Sequence, residues 1–358
     1  MDGIDILIVV VRVVMAFVLL LVLTILNVWA ERKLVADFQN RLGPMRAGPF
    51  GVLQTVADGL KLFFKESVLP AKAEVGLYVT APFLAVIPAF LIFLNIPWGR
   101  PFTVGGRVIA LQGVDLNVGL LFVLAMSSMA VYAVVLAGWS SGSKYPLLGG
   151  IRATAQAISY EAAMGLAMVS VVMFSATQGD GGTLSLAELV ARQAGTWGGF
   201  IPRWNAIPLL VAFVIFFIAI VAETNRAPFD LVEAEQELVG GYNTEYSGMR
   251  FAMFFLAEYV NIFSMSALAT TLFLGGWNGP TWDGVLPGFV SAILPTVWFL
   301  LKTYVLVFVF FWIRATLPRL RYDQLMQLGW KRLIPAALVW LIVSTVVIGF
   351  RQFGPPWS

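Results

Sequence analysis

The sequence predicts an all-α polytopic membrane protein of about eight transmembrane helices, on three observations. Hydrophobic residues make up 59% of the 358, and mean hydropathy is +0.85. Apolar runs recur along the whole length, each near the roughly 20 residues that a helix needs to cross about 30 Å of hydrocarbon. Charged residues are only 12% of the chain and collect between those runs.

The runs fall near 4–29, 76–97, 117–138, 152–176, 206–223, 250–275, 289–312 and 333–350. The first is too long and too apolar for a signal peptide and lacks a small-residue cleavage site, so it is expected to be a retained helix. Between the first two runs, residues 31–75 form a polar loop with its own pattern. From Gly51 to Glu66 the apolar positions Val52, Leu53, Val56, Ala57, Leu60, Phe63 and Phe64 recur at helical spacing, opposite Gln54, Asp58, Lys61 and Lys65. This predicts an amphipathic helix over 51–66 lying at the membrane surface, with interfacial anchoring as its simplest role. The first, third, fifth and seventh connections hold sixteen Lys and Arg, the other loops and the C-terminal tail five. By the positive-inside rule the richer loops face the cytoplasm and both termini the periplasm. No linker, repeat or low-complexity tract divides the chain, so 1–358 reads as one transmembrane domain.

The missing residue types narrow the chemistry. With no Cys and no His, the chain lacks thiolates for an iron–sulfur cluster, the usual haem ligands and the common zinc or copper donors. No metal or cofactor is expected on it, and any electron-carrying centre belongs to a partner. A formal charge of +3 is too small to suggest nucleic acid.

Acidic residues supply the functional signal. The segment from Glu223 to Glu258 carries seven of the twenty, and residues 223–250 form an acidic loop between two apolar runs. Carboxylates clustered beside a bilayer line a cavity or an ion path more often than they serve packing. Pro228 argues against a helix running through, and Asp230 with Glu233 has the spacing of an acidic helix start. Glu233 and Glu237 repel across one face while Glu235 points elsewhere, so their titrations should be coupled. Glu161 and Glu258 each sit about nine residues into an apolar run, deep enough to be proton-relay candidates or helix-to-helix hydrogen-bond donors. Lys302 lies mid-run, where an ammonium needs a carboxylate or water, and Glu161 and Glu258 match it in depth. Arg12, near a helix end, can snorkel to the interface. Glu31, Arg32 and Arg41 crowd the end of the first helix.

Seven blocks, in order along nearly the whole chain, resemble the H-type, quinone-site membrane subunits of respiratory complex I, the proton-pumping NADH:quinone oxidoreductase. They are ERK at 31–33, QNRLGP at 39–44, GVLQTVADGLKLFFKE at 51–66, GGIRATAQAISYE at 149–161, AETNRAPFDLVEAEQELVGGYNTEYSG at 222–248, FFLAEY at 254–259 and WIRATLPRLRYDQLMQLGWK at 312–331. The resemblance implies the base of a chamber that a quinone, ubiquinone or menaquinone, enters from the bilayer, formed by Glu31, Arg32, Arg41 and Asp58 with Phe255 and Tyr259 as aromatic lining. It implies an acidic path of Glu161, Glu223, Asp230, Glu233, Glu235 and Glu258 toward antiporter-like pumping subunits. It further implies peripheral-arm partners that carry the flavin and iron–sulfur clusters, contact with membrane lipids, and a place in a bacterial plasma (inner) membrane. Two other readings are a related subunit of an energy-converting hydrogenase or formate-hydrogen lyase complex and a stand-alone cation-coupled transporter. The first is disfavoured by ERK with QNRLGP and the intact ADGLKLFFKE block, the second by the match over the full length.

Overall fold

The computed structural model describes residues 3–104, 106–179, 181–197, 199, 201–231, 238–280 and 288–353. The expected helix start at Asp230 runs into residues 232–237, and Glu233 and Glu235 likewise lie outside the described residues.

Helices dominate, as the apolar runs require. In order they are α1 (Gly3–Phe38), α2 (Gln54–Phe64), α3 (Val75–Leu94), α4 (Gly119–Ser140), α5 (Lys144–Ser175), α6 (Leu186–Arg192), α7 (Leu210–Glu223), α8 (Gly248–Phe273), α9 (Gly288–Thr316), α10 (Tyr322–Leu328) and α11 (Ile334–Phe353). Two short hairpins, β1 (Phe102–Val104) with β2 (Arg107–Ile109) and β3 (Thr196–Trp197) with β4 (Ile201–Pro202), decorate the loops.

Among the described residues seven helical stretches are long and apolar enough to span a membrane, α10 and α11 counting as one. The fifth apolar run differs: α7 has 14 residues, or about 21 Å, too short to cross about 30 Å by itself. It begins at Leu210, not at 206, and it packs against α5 and α8. Conversely, α1 runs 36 residues, about 54 Å, so ERKLVADF continues the helix beyond the apolar stretch. α5 starts at Lys144, ahead of the expected 152. A π turn over Gly329–Leu333 joins α10 to α11, where Trp330 Nε1 donates to Ser159 Oγ at 3.0 Å and Tyr160 OH to the Leu325 carbonyl at 3.0 Å.

The bundle is organised about α8, which packs on α1, α2, α3, α7 and α9. From Ile262 to Phe273 every side chain on it is buried, the small hydroxyls of Ser264, Ser266, Thr270 and Thr271 among apolar neighbours. Outward faces of α1, α4 and α11 stay apolar and exposed, as a lipid-facing surface requires. Arg32, Arg226, Arg314 and Arg319 gather at one end of the bundle, called here the basic end. A smaller core there stacks Tyr78 on Tyr246 at 4.1 Å, and burial pushes the Tyr246 hydroxyl up to about 12. α5 comes so close to this end that a Cβ on Gly149 would stand 2.8 Å from the Gly241 Cα.

Candidate functional site

At the basic end, α1 places Glu31 inside the bundle at 2% exposure. Its Oε1 accepts from Arg226 Nη1 at 3.1 Å and also pairs with Arg314 of α9. Arg226 gets there because α7 stops at Glu223 and the chain turns back through Asn225 at a positive φ, with the Arg226 amide bonded to the Val221 carbonyl. Its Nε lies 2.7 Å from Glu258 Oε1, and its guanidinium sits 4.5 Å above the Tyr259 ring. One buried arginine therefore joins carboxylates from α1 and α8, and Phe255 packs on Tyr259 with centroids 5.2 Å apart.

Arg32, next in sequence to Glu31, turns outward and pairs with Asp58 of α2, which Gln54 also contacts at 3.0 Å. The amphipathic helix is present, shorter than the expected 51–66, and is tied to α1 through Asp58 and through Thr55 Oγ1, which donates to the Ile25 carbonyl at 3.4 Å. Asp230 pairs with Arg319 at 2.8 Å, while the Leu320 amide donates to the Pro228 carbonyl at 3.0 Å.

A second group lies deeper. Successive serines on α4 hold two carboxylates from different helices: Ser127 Oγ donates to Glu223 Oε1 at 2.7 Å and Ser128 Oγ to Glu161 Oε1 at 2.5 Å. A cavity of about 70 Å³ lies between this group and the first. Glu223, Thr224, Asn225, Glu258 and Asn261 are among its lining, so it has room for a few waters in contact with both groups.

The structure thus brings together Glu31, Glu258, Tyr259 and Phe255, joins Glu223 and Glu161 through adjacent serines, and places Arg32–Asp58 and Asp230–Arg319 as flanking pairs. Arg41 is not brought in: it is exposed and donates to Gln39 at 2.7 Å. Lys302 also departs from expectation. Its Nζ meets neither Glu161 nor Glu258 but donates to the carbonyls of Leu274 at 2.8 Å, Gly276 at 3.1 Å and Asn278 at 2.5 Å, beyond the far end of α8. Matching depth from run length ignores that a loop following a helix carries unpaired carbonyls able to seat an ammonium. Sequence reasoning gives no role to Arg226, Arg314, Ser127 or Ser128. For Arg226 a signal exists, one of two bases, with Arg250, inside an acidic segment, whereas two serines in an apolar run give none. Among the described residues no three His, Cys, Asp or Glu side chains cluster as a metal site.

A family model described as NADH dehydrogenase matches residues 11–345. The chain belongs to the NADH dehydrogenase family. A curated relative in Geobacter metallireducens, the "H 2" subunit of an NADH-quinone oxidoreductase, is 49% identical over 350 residues, covering 95% of each chain. The resemblance carried by the seven blocks is borne out, and with it the reading as a multi-pass membrane subunit. For this family member the paired carboxylates and the shared arginine are the features of the bundle that ask for a function.

Proposed function

We propose that this NADH dehydrogenase family member is the quinone-site membrane subunit of a proton-pumping NADH:quinone oxidoreductase, coupling quinone reduction to proton movement. The observation that supports it most is the continuity of the polar interior: Arg314, Glu31, Arg226 and Glu258 in contact, then a cavity, then Glu223 on Ser127 beside Glu161 on Ser128. The basic end is assigned to the cytoplasm by its Lys and Arg, and both termini to the periplasm. Peripheral-arm subunits with the flavin and iron–sulfur clusters would cover the basic end, and antiporter-like subunits would adjoin the bundle in a bacterial inner membrane. The name of the Geobacter relative supports this reading over the hydrogenase alternative.

In this reading the quinone headgroup, reduced by a neighbour's cluster, sits by Glu31, Arg32, Asp58, Phe255 and Tyr259. Reduction adds negative charge within reach of the arginines, which compete for it with their carboxylate partners. Arg226 is decisive because it holds two: drawn toward the reduced quinone, it releases Glu258 to take a proton through water in the cavity. Glu223 and Glu161 follow, since a serine hydroxyl both donates and accepts and so fits a carboxyl in either form. Asp230, Glu233 and Glu235 extend the acidic path along the loop, where a charge in a poorly screened region is felt by all of them together.

The test is a photoreactive quinone analogue on the intact complex, with labelled peptides mapped. Label is expected between Arg32 and Asp58 or between Phe255 and Tyr259. Labelling confined to other subunits would remove the chamber from this chain. For the path, Glu161→Gln or Glu223→Gln should lower NADH-driven quinone reduction and pumping together and spare electron transfer to an artificial acceptor. Normal pumping in both would return these carboxylates to a packing role.

A further inference from the structure

Beyond the acidic groups the interior remains polar in one direction. On α8, past Glu258, Asn261, Ser264, Ser266, Thr270 and Thr271 are interspersed with apolar residues, and no charged residue follows up to Phe273. Asn261 lines the cavity with Glu258, and its Oδ1, with the Oγ of Ser264 and Ser266, is enclosed and without a hydrogen-bond partner among the described residues. Thr270 then meets Thr303 of α9, oxygen to oxygen at 3.3 Å, and the Gly276 amide donates to the Thr270 carbonyl at 2.9 Å. At about 3.6 residues per turn Asn261, Ser264 and Thr271 share one face of α8, and Ser266 with Thr270 the face toward α9. Hydroxyls and amides on a buried helix beside a cavity with room for water are the elements of a proton track, and these point away from the basic end.

It ends on Lys302, the neighbour of Thr303. Lys302 is 7% exposed, and its ammonium is seated on the three carbonyls beyond α8 with the Trp204 ring 5.1 Å away. Three carbonyls and an aromatic face make a seat for a small cation, filled here by a tethered one. The geometry points to Lys302 as a fixed positive plug that closes the outer half of α8 to protons. Protons gathered by the acidic groups therefore leave sideways and not through this chain to the far side. A buried cation repels hydronium at a constriction, as arginines do in water-selective pores. The inference rests on the proposed proton-handling role of Glu223 and Glu258.

The experiment is passive proton flux into proteoliposomes carrying the whole complex, driven by an acid pulse without NADH. Lys302→Gln keeps a donor for the carbonyls and removes the charge, and Lys302→Met removes both. Each is expected to raise passive flux about tenfold, the effect of a modest barrier removed, with the artificial-acceptor rate unchanged. Lys302→Arg should stay tight, and adding Ser266→Ala and Thr270→Val to Lys302→Gln should close the leak again. An assembled Lys302→Gln complex as tight as its parent would overturn the inference, as would a leak that survives loss of both hydroxyls. Should Lys302→Met fail to assemble, the Gln variant decides alone. Passive flux needs neither quinone nor turnover, so a tight Lys302→Gln complex overturns the plug and leaves the proton-path reading standing. Normal pumping in the Glu161 and Glu223 variants instead removes the proton-path reading and with it the source of the protons the plug would stop.

Discussion

Replacing Arg226 by Met tests the central arrangement, because the structure sets both the size and the pattern of the effect. The guanidinium is 7% exposed and serves Glu258 at 2.7 Å, Glu31 at 3.1 Å and the Tyr259 ring at 4.5 Å. Removing one partner of a buried ion pair costs about 3–5 kcal/mol. Glu31 retains Arg314, and Glu258 faces a cavity with room for water, so the lower end applies. At about 1.4 kcal/mol per decade, about 3 kcal/mol is roughly a hundredfold in the folded-to-unfolded ratio, read as loss of assembled complex, while turnover per assembled complex reads the coupling of the pair. The assay is quinone reduction in membranes carrying Arg226→Met, Glu258→Gln and both, with assembly checked on native gels and the artificial-acceptor rate as control. If the pair acts as one unit, the double variant loses no more than the worse single. The same cycle with Glu31→Gln should give weaker coupling, because Arg314 remains. Arg226→Lys should fail to rescue, since a point charge cannot serve two carboxylates and stack on a ring. Losses that multiply, with coupling below about 0.5 kcal/mol, would refute the shared-arginine reasoning.

Ser127→Ala and Ser128→Ala each delete one hydrogen bond to a carboxyl, worth about 1.5–3 kcal/mol, and should lower coupled quinone reduction about tenfold while Ser127→Thr retains it. Arg32→Gln breaks a pair whose side chains are 40% and 35% exposed, worth about 1 kcal/mol or less. Thermal inactivation should therefore be unchanged, and any effect should appear in the KM for quinone. Gly149→Ala drives a Cβ to 2.8 Å from the Gly241 backbone, an overpacking cost of about 1–3 kcal/mol, and should reduce assembled complex on native gels. Gly165→Ala, which meets nothing within 4 Å, is its neutral control.

The spans are legible in the sequence because the bilayer imposes a length on apolar runs; helix ends are not. α1 continues through ERKLVADF, since polar residues with good helix propensity prolong a helix that the apolar criterion cuts short. α5 instead begins at Lys144 through KYPLLGGI, where Pro146 falls in the first turn and Gly149 packs on the Gly241 backbone, so tertiary packing overrides poor propensity. The fifth run has the look of an ordinary span, yet it includes residues before Leu210 that are not helical. Of the site, Glu258, Glu161 and Glu223 are legible as charges within or at the end of apolar runs, Glu31 as one of a crowd of charges at a helix end, and Tyr259 only through the resemblance. Their partners are not: Arg226 meets Glu31 across 195 positions, and Ser127 meets Glu223 across 96. Such pairings follow from how α1, α4, α7 and α8 pack, which no local pattern states. The partners of Lys302 are hidden for the same reason, because its seat is made by backbone at Leu274, Gly276 and Asn278, whose side chains carry no sign of it.

The partners of the carboxylates divide them into two kinds, and the division has a direction. Near the basic end Glu31, Glu258, Asp58 and Asp230 meet guanidiniums, which only donate, so a carboxyl there is held as an acceptor. Farther in, Glu223 and Glu161 meet serine hydroxyls, which donate or accept, so a proton can arrive or depart without the pair coming apart. Glu258 belongs to both kinds: it is bonded to Arg226 and it faces the cavity shared with Glu223. A disturbance of charge at the arginines therefore has one short way into the hydroxyl-bonded pair, through Glu258, which both meets a guanidinium and lines the cavity. Glu258→Gln should then uncouple the two groups while leaving Glu31 with Arg226 and Arg314. Quinone analogue binding measured by labelling should persist in that variant as turnover falls, and loss of both together would place Glu258 in the quinone chamber itself.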